Sequence, residues 1–274
     1  MVEKITTVAG STIFVKVKMI RDKNPETKRL KRNKPTTEKV AKINQKNAER
    51  ELSMILNNNF KHGNLHLALT YKEMPSFSSA QKALNKFIRV LRRELKKAGE
   101  ELKAVYVTEY LHKRIHHHVV VNTSNLELIE KIWDQGIVKV AALDKTGDYR
   151  KLANYLIKET SKTFQDPDAF SKRRFNTTRT IVRPIAKKEK VKAKYLFEGP
   201  KEIKDYYIDK DSVFQGTNPF DGKPYMEYVL IAYDPEQPRI TKWKRGKIKK
   251  SKEPNYSKWL RDNTERQIDM LCPF

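Results

Sequence analysis

The sequence predicts an α+β protein: a mainly antiparallel sheet with helices packed on one face, flanked by a basic N-terminal arm and a smaller C-terminal region. Three observations predict it. Apolar residues alternate with polar ones over 65–71, 104–110, 115–121 and 137–143, the period of two that a half-buried strand shows. Residues 78–98 and 149–160 instead space their apolar positions as one stripe of a helix does. The resulting order, β-α-β-β-α-β-α, reads as a sandwich whose second sheet face is left open.

Length and composition set the frame. At 274 residues the chain can bury one large core or two modest ones, and its texture suggests three stretches. Residues 1–58 hold a first strand, a basic arm and a helix, residues 59–165 hold the core, and residues 166–274 form a basic C-terminal region that binds DNA or serves as an accessory. Lys and Arg number 58 against 33 Asp and Glu, a formal charge of +25. Such an excess of one sign points to a polyanionic partner, most often nucleic acid. No run is long enough to span a membrane and no secretory signal opens the chain, so the cytoplasm is expected. The single Cys272 excludes an intrachain disulfide and a thiolate zinc site.

The elements follow in order. Ile5, Thr7, Val8, then Ile13, Val15 and Val17 alternate around Gly10-Ser11, as in a strand or hairpin. Residues 21–34 carry seven basic and two acidic residues and read as an arm. Thr36-Thr37-Glu38 opens a helix that runs to about Asn57 with apolar Val40, Ile43, Leu52, Ile55 and Leu56. Leu65, Leu67 and Leu69 face the core of the next strand. His66 and Thr70 share its other face, where His66 reads as a surface or satisfied histidine rather than a ligand. In the helix 78–98, Leu84, Phe87, Ile88, Leu91 and Leu95 form the buried stripe, and Lys82, Lys86, Arg89 and Arg93 form a basic row able to hold a phosphate backbone. After the central hairpin come a short helix at 126–133, a strand at 137–143 and a helix from Tyr149 to about Thr160 that Asp148 can cap. Beyond residue 163 the expectation is an irregular arm or short strand around 180–183, and 225–233 is the one strong strand candidate. Residues 239–252 hold eight Lys or Arg and no acid, with Trp243 interleaved. Lys242, Lys244, Arg245 and Lys247 of this run suit contact with a single strand of DNA.

The chemistry concentrates in the hairpin. In 114–122, Arg-Ile-His-His-His-Val-Val-Val-Asn, alternation puts His116 and His118 on one face and His117 on the other with Ile115, Val119 and Val121. With residues 111–114 as a four-residue loop, Glu109 sits across from His116 and Val107 across from His118. Two imidazoles and a carboxylate on one face form a nitrogen and oxygen set that suits Mg²⁺ or Mn²⁺ when phosphate oxygens and water fill the remaining positions. In the helix that follows, Tyr155 and Lys158 stand three apart on one face, with Lys151 and Lys162 extending the row. Adjacent positive charge favours a phenolate.

An apolar strand ending in Thr70, His116-x-His118, and then Tyr155-x-x-Lys158 occur here in the order that resembles the HUH endonuclease superfamily of rolling-circle replication initiators. The stretches Lys34-Pro35-Thr36 through Asn44, Asn59-Phe60 and Asn218-Pro219-Phe220 through Tyr228 are similar to initiators of Gram-positive mobile elements and phages, relatives of the filamentous-phage gene II proteins. His117 departs from the hydrophobic residue of the motif. The resemblance implies an HUH- or RRM-like sheet, a divalent metal on His116, His118 and Glu109, and Tyr155 as the nucleophile of a site-specific single-strand nickase with Lys158 beside it. It implies a 5′-phosphotyrosine, a free 3′-hydroxyl primer, and single-stranded DNA at a replication origin as substrate. With no Gly-x-x-x-x-Gly-Lys motif, host helicase and DNA polymerase are the expected partners, and either a homodimer or an activated water finishes the strand transfer. A transposase or relaxase with the same chemistry is one alternative reading; a non-catalytic single-stranded DNA or RNA-binding module is another.

Overall fold

A computed structural model of the chain describes residues 1–20, 37–110, 114–165, 173–218 and 220–240. The basic arm at 21–34, the loop 111–113 and the basic run from residue 241 onward, with Lys242, Lys244, Arg245 and Lys247, lie outside the described residues. The strands and helices begin with β1 (Val2–Ala9), β2 (Thr12–Met19), α1 (Glu38–Asn59), β3 (Leu65–Leu69), α2 (Phe77–Lys97), β4 (Ala104–Glu109) and β5 (His116–Val121). Then come α3 (Leu126–Ile132), β6 (Val138–Ala142), α4 (Arg150–Gln165), β7 (Asn176–Thr177), β8 (Ala186–Val191), β9 (Tyr206–Thr217) and β10 (Pro224–Ala232). They form two compact units, one of Thr36–Arg183 and one of Met1–Pro35 with Pro184–Phe274.

The inner unit is built on a five-stranded antiparallel sheet ordered β6-β3-β5-β4-β7. One face presents Leu65, Leu67, Leu69, Val119 and Val121 to α2 and α3. Side-chain alternation turns Val105, Val107 and Val120 to the other face, where Leu52, Ile55 and Leu56 of α1 and Leu156 and Ile157 of α4 cover them. The expectation of helices on a single face is therefore corrected: α+β and antiparallel hold, but both faces carry helices. The signal lies in β5, whose Val119, Val120 and Val121 are all fully buried, a run apolar at both parities because the strand is central.

Local chemistry sets the ends of these helices. Ser76 caps α2, its hydroxyl accepting the Ser79 N–H at 3.1 Å. At the start of α4, the buried Asn57 carboxamide oxygen of α1 accepts the Tyr149 N–H at 2.8 Å, which pins the two helices to each other. Asp148 caps the same helix start as expected, its Oδ1 accepting the Arg150 backbone N–H at 3.3 Å, and it also pairs with the Arg150 guanidinium at 2.7 Å. Gly136 lies where a Cβ would fall 2.3 Å from the Thr70 carbonyl oxygen, so only glycine allows the chain to return alongside β3. The Thr70 hydroxyl donates to Ile137 O at 2.8 Å, and Trp133 donates its indole N–H to Thr70 O at 2.9 Å.

The second unit is a sheet ordered β8-β1-β2-β10-β9. Val8, Ile13, Val15, Val17, Tyr206, Met226, Tyr228 and Leu230 meet on one face of it. The hairpin expected at 5–18 is β1–β2, and the strand expected at 225–233 is β10. Two strands, β8 and β9, have no counterpart among the expected elements. The sequence of β8, Ala-Lys-Lys-Glu-Lys-Val, has no apolar alternation because it is an edge strand, and β9 has an irregular register against β10 that breaks its period. Of the irregular arm or short strand expected around 180–183, the irregular form holds: the Asn59 side chain bonds both Val182 N–H and Val182 O at 2.8 Å. Among the described residues no helix is long and apolar enough to cross a membrane.

Candidate metal centre and nucleophile

The hairpin register is the one that alternation requires. Glu109 pairs with His116 and Val107 with His118, and β5 lies between β4 and β3. Glu109 and His118 are each 4% exposed, and His116 is half-buried. One ligand atom from each of Glu109, His116 and His118 lies within 4.8 Å of the others, and His116 Nε2 is 3.0 Å from Glu109 Oε2.

The second nitrogen of each imidazole is already committed. His116 Nδ1 donates to Arg114 O at 2.9 Å, which leaves Nε2 as the nitrogen turned toward Glu109. His118 Nδ1 is 3.2 Å from His66 Nε2, with the two rings stacked at 5.3 Å. His118 Nε2 is buried and has no hydrogen-bond partner. Burial pulls both partners down, His66 to about 4 and His118 to about 3, with His66 and His116 also lowering His118 and Glu159 opposing them. Both are thus neutral near pH 7. A neutral His118 that donates from Nδ1 to His66 leaves its orphaned Nε2 as a lone pair, the form a metal requires. The donor set and the orphaned nitrogen fit a divalent cation.

His117, at the centre of the motif, is fully buried on the opposite face. Tyr71 Oη has one proton and lies 3.2 Å from Ala80 O, which must receive it. His117 Nε2–H then donates to the tyrosine oxygen at 2.7 Å, and Nδ1 accepts from Thr108 Oγ1 at 2.8 Å. Desolvation, the largest effect, and neighbouring His116 push its pKa down to about 3. The imidazole replaces the usual apolar residue because both nitrogens are satisfied.

α4 brings Tyr155 to the face of Glu109, His116 and His118. Ala153, Leu156 and Ile157 are buried against α1 and the sheet, which leaves Tyr155 at the rim, 43% exposed. Its ring meets that of His118 edge-on at 5.4 Å. Lys151 and Lys158 are exposed on the same helix, and Lys162 lies in α4 with its side chain outside the described residues. Tyr149, the nearest other tyrosine, has a different setting: it is 4% exposed, donates to Asp144 O at 3.1 Å, and is pushed up to about 12 by desolvation and Asp144. Residues 64–164 match the family model of the replication-associated protein of ORF2 and phage gene II type. The matching segment begins just before β3 and ends within α4, so it holds His66, Glu109, His116, His118 and Tyr155 together. No curated protein and no solved structure matches the chain.

Not every expected site residue joins this centre. Lys82, Lys86, Arg89 and Arg93 are exposed on α2, which covers the sheet face away from His116 and His118; Lys86 meets Asp134 at 3.4 Å and Arg93 meets Glu94 at 2.9 Å. His66, in contrast, joins the centre although the sequence reads it as a bystander. Its parity opposite the leucines of β3 puts it on the correct face, but only the pairing of β3 with β5 places it beside His118.

Proposed function

We propose that the chain is a metal-dependent, site-specific single-stranded DNA nickase and strand transferase that initiates rolling-circle replication. The observation that carries this reading is the convergence of Glu109, His116 and the unpaired Nε2 of His118 beside an exposed Tyr155 on one sheet face, inside the segment that matches a replication-associated family. Glu109, His116 and His118 would hold Mg²⁺ or Mn²⁺, which would supply Lewis-acid polarisation of the scissile phosphate. Tyr155 Oη attacks phosphorus, the P–O3′ bond breaks, and the phenolic proton ends on the departing 3′ oxygen. The 5′ end stays on the protein as a phosphotyrosine diester, so reversal by a 3′-hydroxyl rejoins strands without further energy. Lys158, exposed on the same helix face, offsets the charge of the phosphate under attack. Origin DNA, host helicase and DNA polymerase are the partners this chemistry needs.

The test is a denaturing gel of protein incubated with a pool of single-stranded oligonucleotides and Mn²⁺. A covalent adduct with wild type and none with Tyr155→Phe is expected. Binding without adduct under every metal tried would leave a non-catalytic module and overturn the proposal.

A further inference from the structure

We infer that the sheet of the second unit carries a single-stranded DNA platform separate from the nicking centre, an inference that rests on single-stranded DNA being the substrate. The registers of four strand pairs place two neighbouring rows of side chains across the face opposite the Val15–Tyr228 core. One row runs Gly216, Tyr225, Lys18, Glu3, Lys190; the other runs Phe214, Glu227, Lys16, Ile5, Lys188. Each row is aromatic or open at the β9–β10 end and basic toward β8.

The aromatic end is shaped for stacking. A Cβ at Gly216 would lie 2.9 Å from the Phe214 ring, so the missing side chain is what lets that ring lie down over its own strand. Phe214 is 43% exposed, and its ring centre is 5.5 Å from that of Tyr225 with 39° between the planes. Lys16 Nζ stands 5.0 Å from the centre of the Tyr225 ring. Lys188 and Lys190 are exposed, and Lys16 and Lys18 hold Glu227 and Glu3 at 2.5 and 3.6 Å. Four lysines against two glutamates leave the rows with a surplus of two positive charges. An exposed Phe214 ring against a half-buried Tyr225 ring, beside cations that can trade carboxylates for phosphates, supplies the two elements of sequence-tolerant single-strand binding. Duplex DNA offers no free base faces, so the rings select unpaired strands.

The test is fluorescence anisotropy with labelled dT20 and with a duplex of mixed sequence, on full-length protein carrying Tyr155→Phe so that cleavage plays no part. Adding Phe214→Ala should weaken dT20 binding about tenfold, the loss of one stacked base, with duplex affinity unchanged and Phe214→Trp restoring it. Lys188→Glu with Lys190→Glu should also weaken binding and shift the log–log salt slope by about 0.7 for each phosphate no longer neutralised. Unchanged dT20 affinity in Phe214→Ala, or equal losses on dT20 and duplex, would overturn the platform. Adduct formation by otherwise wild-type Phe214→Ala protein reads the nicking chemistry separately: a platform failure with adduct present leaves the nickase standing, and a missing adduct in wild type with stacking intact sinks the nickase alone.

Discussion

At the scale of single residues, the three consecutive histidines separate by what each ring nitrogen touches. His118→Ala and His116→Ala should each abolish Mn²⁺ binding measured by titration calorimetry while circular dichroism stays native. His66→Ala should weaken it by about 10- to 100-fold rather than abolish it, since it removes only the acceptor that orients His118; unchanged affinity would show that the 3.2 Å contact does not orient the ligand. His117→Ala strips Tyr71 and Thr108 of a buried partner and should cost about 1–3 kcal/mol in urea unfolding, with metal affinity retained. His117 also predicts a pH profile. Its folded pKa of about 3 lies below the ordinary 6.5, so as pH falls the unfolded chain takes up a proton first. In chelator, stability should be level above about pH 7 and decline below about pH 6.5, by up to about 1.4 kcal/mol per unit from this residue. A thermal midpoint that stays constant from pH 7 to pH 5 would show that the ring is not buried neutral.

At the scale of elements, α4 determines whether Tyr155 reaches the histidines, and α1 holds α4. Asn57→Ala leaves the buried Tyr149 N–H unpaired and should destabilise the fold by about 1–3 kcal/mol; it should also slow adduct formation, because the start of α4 loses its anchor. Unaltered adduct kinetics in a destabilised variant would mean that helix packing alone sets Tyr155. The parity of β5, the register with β4 and the one-sided stripe of α2 are all legible in the sequence, since each depends on residues close along the chain. The second helical layer is not: Val105, Val107 and Val120 declare their face only once α1, some fifty residues earlier, is known to cover them. His66 escapes for the same reason. Its partner His118 is 52 residues away, and strand order, not pattern, unites them. β8 is hidden differently, as an edge strand whose pairing is all backbone and whose side chains are largely lysine and glutamate.

At the scale of the whole molecule, the net charge of +25 is available to every contact with DNA, but it is not spread evenly. Deleting residues 241–252 removes seven Lys or Arg and leaves the Tyr206 hydroxyl bond to Ile240 N–H in place. DNA affinity should fall and the salt slope flatten by about 0.7 for each phosphate that the run had neutralised, with the nick position unmoved; an unchanged slope would show that this run does not touch DNA. The order of strands β8-β1-β2-β10-β9 has a mechanical consequence. Because β1 and β2 are hydrogen-bonded on one side to β8 and on the other to β10, segments from before residue 20 and after residue 185 are woven into one fabric, with the tyrosine-bearing unit an insert between them in the sequence. One protease cut within residues 21–36 would give two polypeptides that still travel together through a sizing column and part only in denaturant. A ribosome, for its part, releases the first hairpin long before β8 and β10 exist to close over its edges, so the insert has some 160 residues of synthesis in which to fold before the unit around it can.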